Sequence, residues 1–388
     1  MNRSGIIDWA TEICDDVSLQ SVQRWLDDAP GRRAAGMLPV YVPREVVHAA
    51  GFLPVALWGA GDRVEIIKGD AFYQSYICHL PRSIIELAQA GRFSMLSAML
   101  FPSTCDVIRN LSGIWSMLYP ELYVRYLDIP QVLDLATGGQ FWQTEMRELA
   151  RDLTAISGVV PTADRLRASI ALYNEVRSLI RTLYRRRQDA PWTVPTAELY
   201  VLMRAGEVVP PETFIGKLRE YLAAVEQSTQ RPKDRARVIV QGSFCEQPPL
   251  GLIKTLERAG CYVVDDDFVL GNRFLTENVA LDAEPFEALS TAFLLHVVPC
   301  SLVFEADPEG KSTLMRKRVT AARAEGIIFA APSFCDPALL DQPMLRAGAD
   351  EAHIPSISFR YAENTGQFQQ FREQAGTFAD SLKLWGDA

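Results

Sequence analysis

The sequence predicts an α/β fold: two Rossmann-like parallel-sheet domains joined by a helical region. Three observations carry this. Short apolar runs closed by Pro or Gly alternate with segments of helical periodicity in the first third of the chain. The same alternation returns in the last third, while the stretch between carries helical periodicity only. At 388 residues the chain also exceeds what one core usually serves. The expected division is 1–138 for an N-terminal helical arm and first α/β domain, 139–233 for a helical domain, and 234–388 for a second α/β domain.

The opening 35 or so residues have apolar positions at helical spacing, with Trp9, Ile13, Val17, Val22, Trp25 and Leu26, and read as a packing arm or cover. Gly36-Met-Leu-Pro-Val-Tyr-Val-Pro43 is expected as a strand and Arg44 to Ala50 as a helix stopped by Gly51. Phe52 to Trp58 is a second strand closed by Gly59-Ala-Gly61, so the unit is β-α-β, the building block of a parallel sheet. Gly59-Ala-Gly61 lacks the third glycine and helix opening of a dinucleotide fingerprint and reads as a plain turn. Cys78 then stands just ahead of a helix started by Pro81 and stopped at Gly91. The apolar run Phe93 to Phe101 leads into Phe101-Pro-Ser-Thr-Cys-Asp-Val-Ile-Arg109 and the helical pattern Val107 to Tyr119 leads out. This is strand, loop, helix start, with Cys105 where the helix's free N–H groups and positive end favour a thiolate. Leu122 to Pro130 is a further strand.

From Gln140 to about Arg231 the pattern is helical, broken by Pro191, Pro195, Pro210 and Pro211, and no catalytic constellation stands out. Arg185-Arg-Arg187 reads as a solvated helix C-terminus favoured by the dipole, with a phosphate grip as the alternative. In the last third, Arg237 to Glu246 is strand and loop, Leu250 to Ala259 a helix, Cys261 to Asp267 a strand, with further strands at 327–331 and 354–359. Gly326-Ile-Ile-Phe-Ala-Ala-Pro-Ser-Phe-Cys-Asp-Pro337 repeats the Cys105 arrangement for Cys335. Ser243-Phe-Cys-Glu246 echoes Ser333-Phe-Cys-Asp336, which sets Cys245 at a strand's carboxyl end, the edge where open α/β sheets bind ligands.

The net charge of −9 argues against nucleic acid as a partner, and no segment reaches membrane-spanning length without charge. The first residues lack an apolar stretch of signal-peptide length, so a cytoplasmic location is expected. Seven cysteines, an odd number spread over a large chain, are no disulfide framework, and the absence of Cys-x-x-Cys removes zinc ribbons and ferredoxin-type runs. Cys14, Cys261 and Cys300 lie in apolar or helical surroundings and read as small core hydrophobes. Cys78, Cys105, Cys245 and Cys335 each sit in a loop and precede His, Asp or Glu. A metal site assembled from these separate loops is the expectation, and thiolate donors leave iron–sulfur and zinc both open.

Several segments, in one order, resemble the benzoyl-CoA reductase and 2-hydroxyacyl-CoA dehydratase family. They are Tyr41-Val-Pro-Arg-Glu-Val-Val-His-Ala-Ala-Gly-Phe-Leu-Pro-Val55, Ile77-Cys-His-Leu-Pro-Arg-Ser83, Ser103-Thr-Cys-Asp-Val-Ile-Arg109 and Asn110-Leu-Ser-Gly-Ile-Trp115, followed by Asp265-Asp-Asp267, Arg273, Phe334-Cys-Asp-Pro337 and Gly366-Gln367. Length and motifs are most similar to the smaller, cluster-bearing subunit of the ATP-dependent reductases. The resemblance implies one [4Fe-4S] cluster held by Cys78, Cys105 and Cys335. Where relatives commonly carry Gly-Ser-Pro-Leu this chain has Gly242-Ser-Phe-Cys245, which makes Cys245 a candidate fourth ligand or a bystander.

The resemblance further implies a homologous sibling subunit, a separate ATP-hydrolysing iron–sulfur activator as electron donor, and an aryl-CoA substrate dearomatised to a cyclic dienoyl-CoA. The chain agrees in lacking the Gly-x-x-x-x-Gly-Lys-Ser/Thr loop that cradles ATP phosphates. His79, beside Cys78, is a candidate proton donor because histidine titrates near neutrality, against the reading of a locally satisfied helix-start residue. Tyr76 and Arg82 flank the same loop without an assigned role. The alternatives are a 2-hydroxyacyl-CoA dehydratase subunit with the same fold and cluster, a non-catalytic relay subunit, and a zinc enzyme.

Overall fold

The computed structural model describes residues 2–38, 40–268, 276–298, 310–362, 366 and 368–385. Arg273, Cys300 and Gln367 lie outside the described residues. Strands β1 Arg33–Met37, β2 Phe52–Ala56, β3 Ala98–Pro102 and β4 Tyr123–Leu127 form one parallel sheet in the order β2-β1-β3-β4. Strands β5 Ala236–Gln241, β6 Cys261–Asp266, β7 Gly326–Pro332 and β8 Ser356–Tyr361 form a second in the equivalent order β6-β5-β7-β8. The predicted fold class is therefore observed, and the two sheets repeat one topology. Strands β3 and β7 are buried along their whole length, as central parallel strands covered on both faces must be, which is why they read as continuous apolar runs.

Strand β1 departs from the expected 36–43: it begins at Arg33 and ends at Met37. Ala34, Ala35 and Gly36 are too small to read as a strand, yet smallness is what the position requires, since a Cβ on Gly36 would stand 2.3 Å from Met99 Sδ. Leu38, Val40, Tyr41 and Val42 after it are buried outside any strand, with Tyr41 at φ +62°. Gly59 and Gly61 both have positive φ, as a plain turn needs.

The helices are α1 Arg3–Asp15, α2 Gln20–Asp27, α3 Arg44–Ala49, α4 His79–Gln89, α5 Asp106–Leu118, α6 Gly138–Ser157, α7 Ala163–Asp189, α8 Thr196–Gly206, α9 Pro211–Glu226, α10 Leu250–Arg258, α11 Pro285–His296, α12 Gly310–Ala321, α13 Asp336–Glu351 and α14 Gln369–Trp385. Helix α1 packs on α8 and α9, tied by Arg3 Nε to Glu198 Oε2 at 2.8 Å, so the N-terminal arm covers the chain's own central helices. Helix α4 starts at His79, two residues before the expected Pro81, which falls within the first turn where its missing N–H costs nothing.

The Arg185-Arg-Arg187 run is only partly the solvated terminus expected. Arg185 and Arg186 are exposed, but Arg187 is 1% exposed and pairs with Asp266 at 2.7 Å. Helix α7 ends against β6, and the third arginine turns inward where Tyr184 Oη also donates to Asp266 Oδ1 at 2.8 Å. Among the described residues no helix is long and apolar enough to cross a membrane.

Candidate functional site

Both sheets have their reversal of strand order between the first and third strand, β1/β3 and β5/β7, and a crevice opens beyond the carboxyl ends there. The loop carrying Cys105 leaves β3, that carrying Cys335 leaves β7, and that carrying Cys245 leaves β5. The two crevices meet in one cavity of about 720 Å³ lined by residues of all these loops. Cys78, Cys105, Cys245 and Cys335 all face it, so the four thiols singled out in the sequence converge on one void from four segments.

Three of them share a local design. Cys78 is the N-cap of α4, Cys105 of α5 and Cys335 of α13, so each stands at the positive end of a helix. Cys245 differs: it lies in an irregular loop ahead of α10 and is 6% exposed. The loop is held from several sides. Asp267 accepts from the N–H groups of Gly242 and Ser243 at 3.0 and 3.4 Å, Tyr361 Oη donates to the Glu246 carbonyl at 2.9 Å, and Tyr200 Oη donates to the Pro248 carbonyl at 2.7 Å. Buried Thr104, beside Cys105, brings its hydroxyl 3.8 Å from Cys245 Sγ.

The bare thiols behave differently from the expected thiolate. Burial pushes Cys105 up and outweighs the N–H groups of Ile108 and Val107 and the Thr104 hydroxyl, which pull it down. Burial pushes Cys78 well above the ordinary range, and the charges of Glu246, Cys335, Cys105 and Cys245 add to this. Cys78 and Cys105, which burial holds in the protonated form, are poor free anions and yet suitable metal donors, because a bound cation removes the proton outright. Among the described residues no three His, Cys, Asp or Glu side chains are gathered closely enough for a single ion, and these sulfurs are distributed around the void.

The remaining wall is mixed: Ile129, Val132, Phe141, Phe244, Phe334 and Leu340 are apolar, Asp106, Asp128, Glu246 and Asp336 are acidic, and Arg109 supplies a cation, 5.7 Å from the Tyr126 ring centre. Phe334 has φ +61° and is 53% exposed, a left-handed residue that turns the chain sharply between β7 and Cys335. Thr104 and Phe244 stand in the cysteine-bearing segments without a role read from them, Tyr126 carries no motif, and the place of all three at the cavity becomes legible only when the loops meet.

The other predicted residues lie off the cavity. His79 is 5% exposed and is absent from its lining, its backbone N–H being given to Glu246 Oε2 at 2.9 Å. Arg82 pairs with Asp70 at 2.9 Å and Tyr76 is 61% exposed. Cys14, pushed up to about 11 by burial, donates to the Val201 carbonyl, and Cys261, pushed up to about 12, is fully buried in β6.

Comparison with known proteins accords with this geometry. Over 385 residues the chain is 49% identical to a subunit of the benzoyl-CoA reductase of Thauera aromatica, covering 99% of this chain and 100% of that one. It is 27% identical over 354 residues to the beta subunit of lactoyl-CoA dehydratase of Anaerotignum propionicum, covering 91% and 92%. It is 27% identical over 360 residues to the beta subunit of (R)-2-hydroxyglutaryl-CoA dehydratase of Acidaminococcus fermentans, covering 91% and 93%. The model of the family described as 2-hydroxyglutaryl-CoA dehydratase, D-component, matches residues 39–382, and the chain belongs to that family.

Proposed function

We propose that the chain is the cluster-bearing subunit of an ATP-dependent aryl-CoA reductase that dearomatises benzoyl-CoA to a cyclic dienoyl-CoA, with Cys78, Cys105 and Cys335 holding a [4Fe-4S] cluster. The observation that carries the reading is the convergence of three cysteines at helix N-cap positions on one cavity at the strand ends. The donor set fits: thiolate sulfur suits iron–sulfur chemistry, and a cavity of about 720 Å³ has room for a polynuclear group beside part of an acyl chain. When bound, the cluster supplies low-potential electrons. Phe244, Phe334, Ile129 and Phe141 offer a flat acyl group an apolar wall that excludes water, and Arg109 places a cation at the cavity for the phosphates of the coenzyme A part.

The similarity to a protein named as a subunit of benzoyl-CoA reductase supports a multi-subunit assembly here. In this reading a sibling subunit of related sequence completes the site, and ATP is hydrolysed in a separate activator. A cytoplasmic location is part of the same reading. A proton-donor role for His79 is supported by its adjacency to Cys78 alone. A dehydratase subunit is the second reading, supported by the lactoyl-CoA and 2-hydroxyglutaryl-CoA relatives.

The discriminating experiment is an anaerobic assay of the chain co-expressed with its sibling and activator, given ATP, a strong reductant and either benzoyl-CoA or a 2-hydroxyacyl-CoA. ATP-dependent formation of a dienoyl-CoA is the expected result. Elimination of water from the hydroxyacyl-CoA, with benzoyl-CoA untouched, would establish the second reading in its place.

A further inference from the structure

Glu246 is 1% exposed and comes from the loop after β5, yet its Oε2 reaches the backbone of α4 in the other half of the molecule. Its Oε2 accepts from the backbone N–H of His79 at 2.9 Å and of Leu80 at 3.4 Å, the first two residues of α4. The third residue of α4 is Pro81, which has no N–H. The donors that the first turn of this helix could turn toward Cys78 are thus given to a carboxylate or missing.

Helix α5 is arranged the other way. There the N–H groups of Val107 and Ile108 act on Cys105 itself and pull its thiol down. At Cys78 the Glu246 charge acts in the opposite sense, pushing the thiol up after burial has done so. Burial raises both thiols, and the two caps differ in where the first N–H groups of their helices go: to Glu246 in α4, and toward the cap sulfur in α5.

We infer that Glu246 is a positioning residue that latches the Cys78 helix to the second sheet and holds a negative charge against the metal group, keeping its reduction potential low. The inference rests on the cluster reading above. Potentials of iron–sulfur groups fall with nearby negative charge and rise with hydrogen bonds to sulfur. Glu246 acts through both, since it adds a charge and diverts two N–H groups from Cys78. The carbonyl of the same residue accepts from Tyr361 Oη at 2.9 Å, so the latch is anchored in the second sheet.

Three measurements test it on the full chain. Amide hydrogen exchange at His79 and Leu80 requires no metal: both are expected to be protected in the wild type, to stay protected in Glu246→Gln, which keeps an acceptor oxygen, and to exchange faster in Glu246→Ala. Redox titration followed by electron paramagnetic resonance is expected to show an upward shift of midpoint potential in Glu246→Gln at unchanged iron content. In Glu246→Asp the charge remains but the shorter arm loses the helix, so iron content is expected to fall. Unaltered protection in Glu246→Ala, or an unaltered potential in Glu246→Gln, would overturn the inference and leave Glu246 as a buried polar residue of ordinary structural worth. Absence of iron and sulfide from anaerobically purified wild type would sink the cluster reading instead, and the exchange result would still decide whether the latch exists.

Discussion

The Asp267 carboxylate accepts from the backbone N–H of Gly242 at 3.0 Å, joining the carboxyl end of β6 to the loop that presents Cys245. Gly242 has φ +115°, and a Cβ there would stand 3.2 Å from the Ala330 carbonyl oxygen, so the turn and the close approach both call for glycine. The three acidic residues at the end of β6 divide the work. Asp265 pairs with Arg318 at 2.8 Å, Asp266 with Arg187, and Asp267 shapes the loop of the site.

Asp267→Ala is therefore expected to loosen the Cys245 loop at a cost of about 1–3 kcal/mol, the range for leaving buried donors without their acceptor. Asp267→Asn, which retains one carbonyl oxygen, is expected to lose less. Urea denaturation gives the cost, and alkylation of Cys245 in metal-free protein, faster in Asp267→Ala, locates it. Equal alkylation rates would show that the loop is fixed by its other contacts.

The cluster assignment predicts that Cys105→Ala and Cys335→Ala abolish iron and sulfide retention whereas Cys14→Ala and Cys261→Ala do not. The first two stand at helix N-cap positions and line the cavity, and the last two are not part of its lining. Iron and sulfide analysis of anaerobically purified variants measures it. A full complement in Cys105→Ala would remove that residue from the ligand set.

Much of the fold is legible in the sequence. The runs at β3 and β7 announce themselves because a parallel strand buried on both faces must be apolar throughout, and Pro102 and Pro332 mark their ends. Strand β1 is hidden because its burial is achieved with Ala34, Ala35 and Gly36, and the smallness of Gly36 answers to Met99 and Leu96. The inward turn of Arg187 is hidden too, since a run of three arginines at a helix end is locally indistinguishable from one whose last member is buried; only its pairing with Asp266, distant in sequence, decides. At the site, the thiols are visible as residues in loops, but their convergence depends on two sheets facing one another.

Arg187 and Asp266 give a stability prediction. Burial raises the Asp266 carboxyl against the pull of Arg187, the behaviour of an ion pair whose desolvation exceeds what its counter-charge and hydrogen bonds return. Arg187→Met leaves Asp266 buried without its counter-charge and is expected to cost about 3–5 kcal/mol. The double variant Arg187→Met with Asp266→Asn is expected to recover part of the loss, since no bare charge remains. A double-mutant cycle in urea measures the coupling, and additive losses would show that the two residues do not act as a pair.

His48 gives a pH prediction. Ser169 Oγ donates to the Glu45 carbonyl at 2.9 Å, so at the 3.0 Å contact it accepts from His48, which sets the proton of the neutral ring on Nδ1. Burial lowers the His48 pKa below its ordinary 6.5. Above that value both folded and unfolded chains are neutral at this position. As pH falls through it the unfolded chain takes the proton first, so stability declines until the folded pKa is reached and the contribution then levels off. His48→Gln, which cannot titrate, is expected to flatten that part of the stability profile between neutrality and mildly acidic pH. An identical slope in the variant would assign the pH dependence to other groups.

Cys245 decides whether the proposed cluster has an open face. With Cys78, Cys105 and Cys335 as the whole ligand set, one iron lacks a protein thiolate and keeps a position for water or a substrate oxygen, as catalytic metal sites commonly do. With Cys245 added the set is closed, which suits outer-sphere electron delivery and ring reduction. The geometry separates Cys245 from the others, since it caps no helix, yet it faces the same cavity with Thr104 3.8 Å from its sulfur. Three ligands are expected, because the recurring element is a cysteine at a helix N-cap position and there are three of them among the cysteines that face the cavity. Cys245→Ser is then expected to retain full iron and sulfide, with an electron paramagnetic resonance spectrum of the reduced protein that matches wild type and shifts on adding acyl-CoA. Loss of the cluster in Cys245→Ser would close the fourth position and favour outer-sphere reduction over direct binding of a substrate oxygen.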